Sequence, residues 1–185
     1  MVSRKLVALA VLACVPMAAR AEEPENPYKK AQKGQWATYK MTIKLAGNNV
    51  DGTMKQTVTE KDDKSVTLEI VTNVFGNEMK QTQKIDLTKP FNPLAGQQLP
   101  PGADSKIEKK DSGKETIEVA GKKQETEWTK YKISVSAMGQ MFDGDVKVWL
   151  AKDLPLGGMA KMEMKMAFGG MDMEMAMNMD KHGKD

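Results

Sequence analysis

The sequence predicts a mainly β protein: an antiparallel meander of about ten strands, curled into a half-barrel or closed into a barrel, with one short N-terminal helix. Three observations carry this expectation. Apolar and polar residues alternate along most of the chain, the period of a strand with one buried face. Turn signals rich in Gly, Asn and Asp separate these runs at short intervals. The third is the stretch Lys161 to Asp180, in which every second residue is Met or Phe on either side of Gly169-Gly170.

That stretch has a register that arithmetic can test. If Gly169 and Gly170 form a two-residue turn, facing positions sum to 339: Phe168 opposes Met171, Met166 opposes Met173, Met164 opposes Met175 and Met162 opposes Met177. All of these share one face, and on the other Lys165 opposes Glu174, a favourable charge pair. A slip of one residue sets the apolar row against Asp, Glu and Asn, so the register is strongly specified.

The chain begins like an exported protein. Arg4 and Lys5 precede an apolar run, Leu6 to Val15, too short to span a membrane, and Ala19-Arg20-Ala21 offers a cleavage site. Residues 1–21 are therefore expected to be a signal peptide and 22–185 a single β domain, placed in the periplasm or outside the cell. A minor alternative uses Val11-Leu12-Ala13-Cys14 as a lipoprotein box, with Cys14 as the anchor. Cys14 is the only cysteine, so cleavage at residue 21 leaves no thiol, disulfide or thiolate site. It also removes Arg4, Lys5 and Arg20 from the 28 basic residues, leaving 25 against 25 acidic ones. A chain with no net charge and no arginine suggests no nucleic-acid partner and offers no bidentate phosphate clamp. No later apolar run approaches membrane-spanning length.

Taken in order, Asn26-Pro27 reads as an N-cap with proline at the first helical position, and Gly34 as the stop, for a helix of about two turns. Tyr39, Met41, Ile43 and Leu45 then share a strand face. Gly47-Asn48-Asn49 and Asp51-Gly52 read as turns, and Met54, Gln56 and Val58 as a weaker second strand. Ser65 to Phe75 is a third strand and Glu78 to Leu87 a fourth, polar in its middle at Gln81, Thr82 and Gln83. Four prolines between Lys89 and Asp104 exclude a central strand and predict a long loop, read as a lid or rim. Asp111-Ser112-Gly113 reads as a hairpin turn between Lys106–Lys110 and Lys114–Val119. Gln124 to Ala137 and Asp145 to Ala151 are further strands, with Met141 and Phe142 in the loop between them. Lys181 to Asp185 is expected to be a loose tail.

The methionine face is the main candidate for function. Core packing is its plainest use, because methionine is a flexible filler whose burial contributes about 1.5–3 kcal/mol. A pliable cavity for an acyl chain, an apolar small molecule or an apolar peptide segment is the favoured functional reading, since methionine surfaces repack around varied guests. Its residues are Met164, Met166, Met173 and Met175, with Phe91 and Leu94 from the proline loop as a lid. The alternative is Cu(I) held by the same four thioethers in the periplasm. Methionines two apart on a strand have backbones about 6.8 Å apart, whereas sulfurs sharing an ion lie about 4 Å apart, given bonds of about 2.3 Å. Nothing in the spacing therefore requires a metal.

His182 is the lone histidine, so zinc sets and His-dependent catalytic pairs have no dependable basis. Asp143-Gly-Asp145 lacks the rest of a calcium loop. Trp36, Trp128 and Trp149 read as packing anchors, with contact to a ligand at a cavity rim as the other possibility. With no acid–base constellation, phosphate loop or dinucleotide fingerprint, the expectation is a non-enzymatic protein with no cofactor. A purely structural envelope domain is the third reading.

Two segments, Gly34-Gln-Trp-Ala-Thr-Tyr-Lys-Met41 and Val148-Trp-Leu-Ala-Lys-Asp-Leu-Pro155, frame a lysine-rich meander closed by the methionine run. In this the chain resembles a group of uncharacterised secreted bacterial proteins. It is also distantly similar to the lipoprotein-carrier fold of the LolA/LolB type. That resemblance implies a curved half-barrel around an apolar cavity, and it implies no specific functional residue.

Overall fold

A computed structural model describes residues 26–91, 104–137, 140–168 and 171–185. Alternating side chains produce strands β1 (Gln35–Leu45), β2 (Asn48–Lys61), β3 (Ser65–Val74), β4 (Asn77–Asp86), β5 (Asp104–Val119), β6 (Lys122–Ala137), β7 (Gln140–Leu150), β8 (Met159–Phe168) and β9 (Met171–Lys184). They form one nine-stranded antiparallel sheet in the order β4-β3-β2-β1-β9-β8-β7-β6-β5. Each strand pairs with its neighbour in sequence except at one place, where β1 pairs with β9. The sheet is open, and its edges β4 and β5 are consecutive in the chain. It is also strongly curled: β5 comes within 8 Å of β9 between Cα atoms, although β6, β7 and β8 lie between them in the sheet. The architecture is a curved half-barrel.

One face of this sheet is the core. Ala37, Tyr39 and Met41 of β1, Val66, Leu68 and Ile70 of β3, Val146 and Val148 of β7, and Met162, Met164, Met177 and Met179 are all buried on it. The two ends of the half-barrel differ. At the basal end, two 3-10 turns, Pro27–Lys30 and Leu156–Gly158, bring Tyr28, Leu154 and Leu156 into the core. The Tyr39 hydroxyl donates to the carbonyl of Met159 there, at 3.3 Å. The distal end carries the turns after β1 and β3. Ala46-Gly47 and Phe75-Gly76, like Ala120-Gly121 at the basal end, have positive φ at both residues and join strands paired up to the turn. That backbone suits two-residue hairpins because its twist matches that of the strands.

Several expectations need correction. Asp111-Ser112-Gly113 is not a hairpin turn: β5 runs through it as one strand with a register shift between Lys109 and Asp111, and the meander of about ten strands has nine. A bulge accommodates the extra residue without reversing the chain. Asp51-Gly52 lies inside β2, where Gly52 faces Met41 and Val74, and Met141 and Phe142 belong to β7. The N-terminal helix is a single 3-10 turn, its amide at Tyr28 held by the Asn26 side chain at 3.1 Å. Lys181–Lys184 are not a tail but pair with Gln35–Thr38. The expected signal peptide, residues 1–21, lies outside the described residues.

The tryptophans occupy the face opposite the methionines. Trp128 and Trp149 are cross-strand partners. The Trp149 indole N–H donates to Glu115, and the Lys147 ammonium lies 4.1 Å from the Trp149 ring centre and 4.5 Å from that of Trp128. Trp128 also covers Gly113, as Trp36 covers Gly183, on paired strands. A ring laid over a glycine restores the packing that a missing side chain forfeits.

Two outcomes follow. A Cβ at Gly113 would meet Trp128 Cζ2 at 2.7 Å, so Gly113→Ala should cost about 1–3 kcal/mol in urea unfolding through overpacking. Burial raises the Tyr28 phenol to about 12 and pushes Tyr39 well above its ordinary value. A buried phenol favours its neutral form, so this stability is present below pH 10 and is lost as pH rises toward the folded value. Tyr39→Phe should flatten the loss of stability between pH 10 and 12, followed by tyrosinate absorbance during alkaline unfolding.

Candidate functional site

Strand β8 lies against β9 in the register Met162↔Met177, Met164↔Met175, Met166↔Met173 and Phe168↔Met171. Lys165 faces Glu174 on the opposite side, with 2.9 Å between Nζ and Oε1. The hydrogen bond from Lys165 holds the Glu174 carboxyl below its ordinary value. Because β1 covers one flank of β9 and β7 one flank of β8, the methionine pair occupies the middle of the sheet rather than an edge.

Exposure is graded along this face. Met162, Met164, Met177 and Met179 are buried near the basal end, whereas Met166, Met173 and Met175 are half-buried toward the distal end. The flanking strand follows the same gradient: Met41 is buried opposite Met177, Ile43 is half-buried opposite Met175, and Leu45 is 42% exposed opposite Met173. Of the four expected site residues, Met164 therefore belongs to the buried core, and Met166, Met173 and Met175 pack against its distal edge, half-buried like Ile43, Val50 and Val74. Met166 also touches a small distal cluster of Val135 and Phe142.

Phe91 lies at the other end. It is half-buried against the core, its ring centre 6.3 Å from that of Tyr28, near the point where Asn26 donates to the Lys89 carbonyl. Leu94 lies outside the described residues. His182 faces Ala37 at the basal end, about 23 Å along β9 from Met175 at strand rise. It is too far to share an ion with the distal thioethers. Among the described residues no group of three or more His, Cys, Asp and Glu could hold a metal.

Two features were less legible in the sequence. A basal cleft of about 320 Å³ is lined by Lys30, Lys152, Asp153, His182 and Lys184 over Leu154 and Leu156. It assembles residues from three remote segments, which only tertiary contact can reveal. The Lys184 ammonium donates to Gln32 at 2.8 Å, and Lys152 lies 3.9 Å from Glu127. The core face also carries Gln56, which is 5% exposed; its Oε1 and that of Gln83 accept no hydrogen bond among the described residues. Alternation with Met54 and Val58 signals the inward direction of Gln56.

Comparison with solved structures identifies the fold. The chain is similar to a protein of Bacteroides fragilis provisionally described as exported and having a YmcC-like fold, with a TM-score of 0.52, 11% identity, and coverage of 83% of this chain and 97% of that one. A protein of Parabacteroides distasonis provisionally described as a lipoprotein matches with a TM-score of 0.49, 12% identity, and coverage of 82% and 96%. The hypothetical lipoprotein YmcC of Escherichia coli matches with a TM-score of 0.31, 8% identity, and coverage of 77% and 87%. At 11% identity the likeness to the Bacteroides protein is one of fold. No protein-family model and no curated protein matches the sequence.

The graded face predicts unequal costs of truncation. Met164→Ala should lose about 2–5 kcal/mol, as a buried truncation does, while Met175→Ala should lose less, about 1–2 kcal/mol, because its side chain is only partly buried. Equilibrium urea unfolding of the two variants measures the difference.

Proposed function

We propose that this chain is an exported envelope protein that binds the apolar part of a lipid-like molecule or apolar peptide at the distal end of its methionine face. One observation carries the reading: the apolar row of β8 and β9 runs on from buried Met162, Met164 and Met177 into Met166, Met173 and Met175, which pack against the distal edge of the core and stay partly exposed. A row serving only as core would end where the core ends. Thioether side chains have three rotatable bonds and can refold around guests of different shape, which suits a site that selects for apolarity rather than outline.

The location rests on the charged and apolar start of the chain and agrees with the description of the Bacteroides protein of similar fold as exported. Among the described residues no helix is long and apolar enough to cross a membrane. A role like that of the lipoprotein carriers accords with an open, curled sheet bearing one apolar face. The described chain differs from the helix-supplemented carriers in having only two 3-10 turns. No observation favours copper over this reading, because Met164 is packed in the core and His182 lies at the opposite end.

Native mass spectrometry of protein purified from its own host tests the proposal. The expected spectrum shows an apolar adduct that disappears in Met173→Asp/Met175→Asp, with the circular dichroism of the sheet retained. An adduct-free wild-type protein, or adducts indifferent to both substitutions, overturns it.

A further inference from the structure

The large apolar side chains that stand exposed among the described residues are Leu45, Phe75, Met79 and Met141, and all four lie at the distal end. Leu45 ends β1, Phe75 sits in the β3–β4 turn, Met79 follows that turn, and Met141 opens β7. The basal turns show the opposite chemistry, with Lys61, Asp62, Asp63 and Lys64 after β2 and Lys152 and Asp153 after β7.

Phe75 is the most informative of the four. It is 74% exposed, so it adds little to the core, and its φ is +55°. A left-handed backbone is unfavourable for a residue with a bulky side chain, and the position suits Asn, Asp or Gly. The chain therefore keeps an aromatic ring in water at a site where the fold prefers a small polar residue. Exposure combined with local strain points to a use outside the fold.

We infer that the distal end docks on an electrically neutral lipid surface, with Phe75 as its principal anchor. Phe75 projects from the β3–β4 turn, and Leu45, Met79 and Met141 stand at or near the distal ends of three different strands, with polar neighbours such as Asn48 and Asn77 among them. That arrangement lets each side chain enter between headgroups, while a protein partner calls for a contiguous apolar patch. Charge selects the kind of lipid. Near the distal turns Asp51, Glu78, Asp143 and Asp172 outnumber Lys44 and Lys106, and Lys165 is paired with Glu174. Anionic membranes attract basic clusters, and this rim has no basic surplus. Docking in this orientation also brings the half-buried methionines against the surface, but it rests on the exposed turns and not on what the methionine face holds.

Cosedimentation of the full chain with phosphatidylcholine vesicles, alone or with one-third phosphatidylglycerol, tests this inference. Wild type should bind the neutral vesicles, with no gain from phosphatidylglycerol and little dependence on salt. Phe75→Asn should weaken binding about tenfold, from the lost burial of one aromatic side chain, and should raise the midpoint of thermal unfolding, because Asn accepts the left-handed turn. Binding that needs phosphatidylglycerol, or that Phe75→Asn leaves unchanged, overturns the inference. So does a failure to bind either vesicle, including the case where sedimentation velocity shows a dimer that Phe75→Asn dissolves, which assigns the end to a second copy. None of these results bears on the host-derived adduct at Met173 and Met175, so the two proposals fail separately.

Discussion

Because β1 lies hydrogen-bonded along β9 from Gln35↔Lys184 to Leu45↔Met173, the first and last strands of the chain become neighbours in the middle of the sheet. Without that pairing the meander would be a ribbon with β1 and β9 as bare edges. With it, the open edges move to β4 and β5, and the methionine strands are flanked on both sides. Long-range pairing of this kind is costly in loop entropy and must be repaid by burial. The repayment is visible in Tyr39, Met41, Met177 and Met179, all buried along this seam.

The same seam separates the two ends. Near Gln35 and Lys184 the 3-10 turns, Tyr28 and Leu156 join the buried core, whereas near Leu45 and Met173 the apolar residues are half-buried or exposed. The resulting molecule is packed at one end and presents thioethers and isolated apolar turn residues at the other. Side chains on the reverse face stabilise the sheet without reference to this polarity. Trp128 and Trp149 gather Lys147 and Glu115 around them, and Trp36 and Trp128 each lie over a glycine of the adjoining strand.

Much of this was legible from alternation alone, because a period of two specifies both strand and face. The facing of Met164 with Met175 and of Lys165 with Glu174 is written in the spacing around Gly169-Gly170, since any slip buries charge. Errors arose where local chemistry is ambiguous. Asp111-Ser112-Gly113 carries turn residues, yet Trp128 across the ladder covers Gly113 and keeps the strand continuous. Asp51-Gly52 was similarly misleading, because the absence of a side chain at Gly52 leaves room for Val74 and Met41. Lys181 to Lys184 look like a solvated tail until β1 supplies their partners.

By itself, then, the sequence determined the strands, the apolar face and the register of β8 on β9, since these depend on contacts between residues near in the chain. Only the tertiary structure decided that β1 closes on β9, that Met164 is fully buried while Met173 and Met175 are partly exposed at the edge of the core, and that the exposed large apolar residues among those described share one end. Those properties depend on which remote segments meet, and a periodic pattern is the same whether its face is filled or left open.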